Sequence, residues 1–321
     1  MSFASDIKDE LIEKSELARA MGGMKDCCIH AEMYGIFLFC RDFDSNNICI
    51  KTEHREVAEL FSSYAEEITG RSYNIEQTSS GKFRVTIKKA EDRKMILEHF
   101  GHTGQEVTRR MYRSNLEDEC CLGALLRGAF LSCGTITDPE KDYHLEFVMS
   151  HKVLSNDLLK LITEVHLPDE EGNVDFNKKE FDPKYIVRRG VHVVYFKDSE
   201  SIENILTFMG APDASLEVMG TRMYKDMRNR VNRKMNFENA NAGRAFDAAY
   251  KQISAIRFIE EEKGLGFLSE DLRELALLRL ENEDFTLSDL ADNLKEPISK
   301  SGVNHRLKKI LETAEGLGWK G

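Results

Sequence analysis

The stretch DCCIHAEMYGIFLFC (26–40) is the most informative part of the sequence for the fold, because a similar stretch, ECCLGALLRGAFLSC (119–133), occurs 93 residues later. Seven of the fifteen aligned positions are identical, which is hard to obtain by chance. Self-similarity of this kind is the signature of a repeated structural unit. The sequence therefore predicts two copies of one unit, each opened by an apolar helix.

The segments that follow the two copies also agree in type. Period-2 alternation and β-branched or aromatic content predict strands at 46–52, 82–89, 142–149 and 184–196. Apolar residues spaced three and four apart predict helices at 54–68, before 101, at 152–165 and around 205–208. Each unit is then helix, strands, helix, strands, helix. The fold class is α+β, and the polar segment 167–183 is interpreted as a solvated insertion.

A glycine stands at the same place in both opening helices. Gly35 and Gly128 interrupt apolar helical stretches, where glycine costs about 1 kcal/mol relative to alanine. The match across the repeat predicts that the two helices meet there, backbone to backbone. Two unrelated glycines are the alternative.

Composition excludes several classes of protein. The 321 residues carry a net charge of −11 with 41% hydrophobic residues, which suits two or three globular units. The sequence has no apolar run of the roughly 18 residues that a membrane span needs, and its charged start does not read as a secretory signal. We expect a cytoplasmic, nucleoid-associated protein without membrane contact.

The seven cysteines are odd in number and include no CxxC pair. Without a secretory signal, they are expected to be reduced. We interpret them as small buried hydrophobic residues, with a metal site as the weaker alternative. No metal and no other cofactor is predicted.

The C-terminal segment 269–315 predicts three helices. Ser269, Thr286 and Ser299 can cap them, and Asp289 can complete a capping box with Thr286. Pro297 lies in the break between the second and third helices. This arrangement indicates a helix-turn-helix, whose third helix would enter the DNA major groove. A plain three-helix bundle with a solvated basic face is the alternative.

The third helix buries an apolar stripe of Val303, Leu307, Ile310 and Leu311. Its other face carries groups suited to DNA, because amides can pair with adenine edges and lysines with guanine or phosphate. The predicted DNA-binding residues on this helix are Lys300, Ser301, Asn304, His305, Arg306, Lys308 and Lys309.

A second basic run, 222–234, has a local charge of +5 despite the acidic chain. We predict that it lies on a long helix and that its cations contact phosphates, with a solvated linker face as the alternative. The residues predicted to do so are Arg222, Lys225, Arg228, Arg230 and Arg233. The strand 82–89 also shows Lys82, Arg84, Thr86 and Lys88 on one face. We favour a solvated sheet face there over a residual DNA surface.

The repeated unit resembles the LAGLIDADG homing endonucleases, which open each α-β-β-α-β-β-α unit with a glycine-containing helix. In those nucleases an acidic residue at the helix end holds the catalytic metal. Here that position falls on Cys40 and Cys133, and a thiol is a poor ligand for magnesium. Asp42 and Asp138 lie past the motif. The resemblance therefore implies the fold without the catalytic residues.

The stretches RNRVNRKMNFENAN (228–241) and SKSGVNHRLKK (299–309), together with the degenerate repeat, resemble the WhiA family of Gram-positive bacteria. The resemblance covers essentially the whole chain. It implies a non-enzymatic transcription regulator of sporulation, cell division and chromosome segregation, and a partner regulator as well as double-stranded DNA. The oligomeric state is left open.

The predicted organisation has four parts. They are an N-terminal helical extension (1–25), the two-repeat domain (26–210), a basic helical linker (211–265) and an all-α helix-turn-helix domain (266–317). Three functions compete: a DNA-binding regulator, an active endonuclease, and a scaffold whose N-terminal domain docks a partner. The first and third are compatible, and the regulator is favoured.

Overall fold

The computed structural model describes residues 2–166 and 180–321. It divides into two compact units, one ending at Lys225 and the other beginning at Asp226. The first unit has two sheets and the helices that cover them, and the second is built from helices. The α+β fold class with an all-α C-terminal region is therefore confirmed.

The first unit opens with helix α1 (Phe3–Ala20), capped by the side chain of Ser2. The first repeat follows as α2 (Asp26–Leu38), β1 (Asp42–Phe43), β2 (Ile48–Thr52), α3 (Arg55–Thr69), β3 (Glu76–Gln77), β4 (Phe83–Thr86) and α4 (Ala90–His99). Its antiparallel sheet has the order β1-β2-β4-β3. A short 3₁₀ helix, Arg113–Asn115, lies between the repeats.

The second repeat has the same order of elements. They are α5 (Cys120–Cys133), β5 (Gly134–Ile136), β6 (Leu145–Met149), α6 (Lys152–Thr163), β7 (Lys184–Arg188), β8 (Val191–Phe196) and α7 (Ser199–Met209). The sheet order β5-β6-β8-β7 is the counterpart of the first. The strand-like stretch 184–196 is a hairpin, whose turn residues Arg189 and Gly190 have φ of 49° and 83°. Two left-handed residues give a turn whose twist suits paired strands.

Most of the predicted insertion, 167–179, lies outside the described residues. Phe181, at its end, is 2% exposed, with ring centroids 6.5 Å from Phe196 and 5.7 Å from Phe208. The prediction of a solvated segment is therefore wrong for Phe181, because its aromatic ring packs into the core of the second repeat.

Helices α2 and α5 form the centre of the first unit, and the paired glycines lie where they cross. A Cβ built at Gly35 would overlap the carbonyl oxygen of Leu125, and one at Gly128 would overlap that of Glu32. The predicted backbone contact is confirmed. An alanine at either position would force the helices apart, since the obstacles are backbone atoms that cannot rotate away.

A buried carboxylate ties the surrounding helices together. Glu32 of α2 is fully buried and pairs with Arg127 of α5 at 2.8 Å. It also accepts hydrogen bonds from Ser15 of α1 at 2.7 Å and from Tyr64 of α3 at 3.2 Å. A buried charge persists only when it is paired and hydrogen-bonded in this way. Helix α1 is thus part of the first unit's core.

Helix α8 (Pro212–Lys263) begins in the first unit and ends in the second. It stops at Gly264, whose φ is 72°. A 3₁₀ turn (Leu265–Phe267) leads into α9 (Glu270–Glu281), α10 (Leu287–Asp292) and α11 (Lys300–Gly316). Among the described residues, no helix combines the length and apolar character that crossing a membrane demands.

Candidate nucleic-acid interface

Helices α10 and α11 form the helix-turn-helix, and their ends are fixed by specific hydrogen bonds. Thr286 and Asp289 make the predicted capping box of α10, and the Ser299 hydroxyl caps α11 by accepting from the Gly302 amide at 3.2 Å. In the turn, the Lys295 amide donates to Glu274 at 2.7 Å and the Ile298 amide to the Ala291 carbonyl at 3.3 Å. Ser269 precedes α9 but its hydroxyl donates to Asp271, so it gives no side-chain cap.

The inner face of α11 is apolar and sets its orientation. Val303, Leu307, Ile310 and Ala314 are at most 1% exposed and pack in the second unit's core. Leu311 of the predicted stripe is only partly buried, and Ala314 takes the fourth core position. The same core contains three fully buried residues of α8, which are Ala255, Ile256 and Ile259.

The outer face of α11 presents the predicted DNA-binding side chains to solvent. The exposed residues are Lys300, Ser301, Asn304, His305, Lys308 and Lys309. Ser301 exchanges a hydrogen bond with the capping Ser299 at 2.8 Å, and Lys308 lies 3.8 Å from Glu312. Asn304 and His305 are exposed on the first two turns of the helix.

Arg306 differs from the other predicted residues of α11. It is half-buried and pairs with Asp271 of α9 at 3.5 Å. Its guanidinium is thus partly used inside the helical unit. The i, i+3, i+4, i+7 set of Ser301, Asn304, His305 and Lys308 does share one face.

The basic run of α8 separates into two groups. Arg222 pairs with Glu203 at 3.4 Å, and Lys225 donates to the Pro139 carbonyl at 2.7 Å. These two cations are engaged within the first unit. Arg228, Arg230 and Arg233 are exposed, but they are not brought to one face. Arg230 and Arg233 are one turn apart, while Arg228 is about 160° around the helix from Arg230.

The cationic sheet face of the first repeat is largely neutralised by carboxylates. Lys82 pairs with Glu53 at 2.7 Å and Lys88 with Glu76 at 2.9 Å. In the second repeat, Glu146 pairs with His144 at 2.9 Å and Arg188 at 3.0 Å. Such pairing is typical of a solvated sheet surface.

At the nuclease-like ends of α2 and α5, cations occupy the positions next to the two thiols. Arg109 donates to the Cys40 carbonyl at 2.7 Å, and the buried ammonium of Lys8 donates to the Leu131 carbonyl at 3.1 Å. Burial raises the pKa of both Cys40 and Cys133 to about 12, so both are neutral thiols at pH 7. Neutral thiols beside fixed cations are unsuited to holding a magnesium ion.

The two aspartates past the motif make local contacts instead. Asp42 accepts from the Asn47 side chain at 2.9 Å, and Asp138 accepts from the Glu140 amide at 2.9 Å. In the parts of the chain that the structure covers, neither belongs to a group of three or more potential metal ligands.

Sequence reasoning missed a cluster of thiols at the other end of the helix pair. The sulfurs of Cys27, Cys28, Cys120 and Cys121 all lie within 4.8 Å of one another. Cys120 is exposed and Cys27 half-buried, so the interpretation of the cysteines as buried hydrophobic residues is wrong for these two. A search for CxxC could not find the cluster, because its halves come from different repeats. The repeat itself, which places Cys-Cys at the start of both paired helices, was the available signal.

Two family models match the chain, and they meet near the boundary between the two units. The WhiA LAGLIDADG-like domain matches residues 122–228, and the WhiA C-terminal HTH domain matches residues 231–314. The first covers the second repeat and the start of α8. The second covers the rest of α8 and the helix-turn-helix.

Relatives match over nearly the full chain. Proteins named probable cell division protein WhiA are 36% identical in Alkaliphilus oremlandii and 33% in Alkaliphilus metalliredigens, over 98–99% of this chain and 98% of each relative. The crystal structure of full-length WhiA from T. maritima has a TM-score of 0.54 at 24% identity, covering all of both chains, which supports the fold. The chain therefore belongs to the WhiA family, with the helix-turn-helix domain of a DNA-binding regulator.

Proposed function

We propose that this chain is a sequence-specific, non-enzymatic transcription regulator that binds double-stranded DNA through the outer face of α11. The observation that carries the proposal is the exposed set of polar and basic groups on the first turns of that helix, opposite a fully buried apolar stripe. A recognition helix presents such residues to base edges in the major groove.

The proposed roles follow from the chemistry of each side chain. The Asn304 amide has a donor and an acceptor, which match the exposed edge of adenine. Ser301 and His305 flank it, and Lys308 reaches either guanine or phosphate. Lys300 and Lys309 are assigned to phosphates. Arg306 has a smaller role, because Asp271 already holds its guanidinium at 3.5 Å.

Arg228, Arg230 and Arg233 are proposed to add phosphate contacts. Their local positive charge offsets the repulsion that a chain of net charge −11 experiences near DNA. Because Arg228 projects away from the other two, we assign the stronger contribution to Arg230 and Arg233.

The first unit is proposed to be non-catalytic. Hydrolysis of a phosphodiester by the nuclease route needs carboxylates that hold divalent metal ions. Cys40 and Cys133 stand at those positions as neutral thiols, next to the cations of Arg109 and Lys8. We assign this unit to contacts with DNA or with a partner regulator.

The biological setting is proposed from the relatives. Their printed name makes them probable cell division proteins, and the resemblance extends to sporulation and chromosome segregation. We place the chain in the cytoplasm, at the nucleoid, with a partner transcription regulator.

Footprinting with the purified full chain on genomic DNA fragments, in the presence of magnesium or manganese, tests the proposal. We expect discrete protected sites and intact strands. Absence of any protected site at low salt contradicts DNA recognition. Site-specific cleavage that is lost in Asp42→Asn or Asp138→Asn contradicts the non-catalytic assignment and supports the endonuclease.

A further inference from the structure

Four thiols converge where the first turns of α2 and α5 meet. Cys27 and Cys28 come from the first repeat, and Cys120 and Cys121 occupy the equivalent positions in the second. All four sulfurs lie within 4.8 Å of one another, and all four cysteines are free. The repeat thus delivers two ligands from each side to one point between the paired helices.

The spacing of the sulfurs suits a single tetrahedral ion. A zinc–sulfur bond of about 2.3 Å places the sulfurs of a tetrahedral site about 3.8 Å apart. Because no two sulfurs are more than 4.8 Å apart, side-chain rotations that shorten the longest sulfur–sulfur distances by about 1 Å would close the cluster around an ion. An iron–sulfur cluster, with several irons between its four ligands, would hold the sulfurs farther apart.

The surroundings suit a site that carries net negative charge. Four thiolates around a divalent cation leave a charge of −2, and both cysteine pairs lie at helix N-termini, where the backbone favours negative charge. Lys25 lines the same cleft as Cys28 and Cys120, so a positive charge lies close to the cluster.

An entry path is also present. A cleft of about 420 Å³ is lined by Lys14, Lys25, Cys28, Cys120 and Arg127, and Cys120 is exposed. An ion can therefore reach the sulfurs from solvent. Cys121, at the other extreme, is fully buried.

We infer that Cys27, Cys28, Cys120 and Cys121 form a structural zinc site that links the two repeats at the start of their paired helices. Four thiolates with no open coordination position are the donor set of structural zinc sites. The ion bridges two segments more than 90 residues apart in the chain, so it stabilises the packing of α2 against α5. It lies at the opposite end of these helices from Cys40 and Cys133.

The test uses the full chain, purified anaerobically with a reductant, stripped with a chelator and titrated with zinc or with cobalt. We expect one zinc per chain, competition with a chromogenic chelator, and the visible absorption of tetrahedral cobalt with thiolate ligands. Zinc should also raise the midpoint of thermal unfolding.

The main variant is Cys27→Ser with Cys120→Ser, which removes one thiol from each repeat. Removing one residue that hydrogen-bonds to a metal ligand already weakens metal binding about 10–100-fold. Removing two of the four direct ligands should therefore weaken zinc binding more than about 100-fold. Cys40→Ser with Cys133→Ser is the matched control, again one thiol from each repeat, and it should bind zinc like the native chain. Cys120→Ser alone, at an exposed position, serves if the double variant fails to fold.

Several results would overturn the assignment. They are a reduced native chain that takes up no zinc or cobalt, and a Cys120→Ser variant that binds zinc as tightly as the native chain. Equal loss in the Cys40 and Cys133 control, or purification with a multinuclear iron–sulfur cluster at these cysteines, would also contradict it.

Discussion

At the scale of single residues, small side chains and buried charges decide how the two repeats meet. Gly35 and Gly128 allow the backbones of α2 and α5 to touch, and Glu32 satisfies Arg127 across the same contact. The close contact at the glycines could be predicted from the sequence, because both copies of the repeat carry a glycine at the same position. The Glu32 network could not, since Ser15, Tyr64 and Arg127 come from three separate segments.

Replacing Gly35 with alanine should destabilise the first unit by about 1–3 kcal/mol or more, because the added methyl group meets the Leu125 carbonyl. Gly220→Ala is the matched control, since Gly220 lies on an exposed part of helix α8 with open space around it. That change should stabilise by up to about 1 kcal/mol, the helix propensity difference. Denaturant unfolding of both variants measures this, and equal effects would contradict the close contact.

Lys8 gives a pH dependence opposite to that of an ordinary ion-paired lysine. Burial lowers the pKa of Lys8 to about 8 in the folded chain, whereas a fully solvated lysine, as in the unfolded chain, has a pKa of 10.5. Between these values the unfolded chain holds a proton that the folded chain has released, so folding is favoured as pH rises through this window. The full difference corresponds to roughly 3 kcal/mol.

The measurement is the unfolding free energy of the native chain minus that of Lys8→Met, from pH 7.5 to 10.5. We expect this difference to increase with pH. The thiols of Cys40 and Cys133 stay protonated in the folded state over this range and are present in both proteins. A constant or falling difference would show that Lys8 is not a buried charge.

At the scale of elements, alternation and apolar spacing predict most helices and the longer strands. The two-residue strands β1 and β3 carry too little sequence to show a period, and they exist because β2 and β4 offer them partners. The sequence predicts the hairpin of β7 and β8 as a single strand, because the turn of Arg189 and Gly190 interrupts the alternating pattern for only two residues. The capping prediction is confirmed at Thr286, whose hydroxyl accepts a hydrogen bond from the Asp289 amide. It is wrong at Ser269, because the Ser269 hydroxyl donates to the Asp271 side chain instead.

The last turns of α8 belong to the helical core, which gives a prediction about fragments. A fragment from 266 to 321 lacks Ala255, Ile256 and Ile259, all fully buried in that core. Burying one isoleucine contributes about 1.5–3 kcal/mol, and a domain of this size has little stability to lose. We expect this fragment to be unfolded or marginal by circular dichroism, whereas a fragment from 226 to 321 melts cooperatively. Equal melting of the two would contradict a contribution from α8.

At the scale of the whole molecule, an acidic chain carries two local concentrations of positive charge. Both can be found from the sequence, at 222–234 and on the helix that carries Lys300 to Lys309, because local charge needs no tertiary information. The sequence cannot tell which cations are free. The contacts of Arg222 with Glu203, Lys225 with Pro139 and Arg306 with Asp271 join positions distant in sequence. We therefore assign DNA recognition chiefly to α11, where Asn304 and Lys309 are exposed.

The most direct test of this account compares Asn304→Ala and Lys309→Ala on a footprinted site and on a scrambled sequence, across a salt series. Both side chains lie off the apolar stripe of α11, so both variants should stay folded. Asn304→Ala should lose about 1–3 kcal/mol of discrimination and keep its non-specific binding. Lys309→Ala should weaken both DNAs alike and reduce the salt slope by about one. Equal losses of Asn304→Ala on both DNAs, or no change in either variant, would contradict recognition of DNA by the outer face of α11.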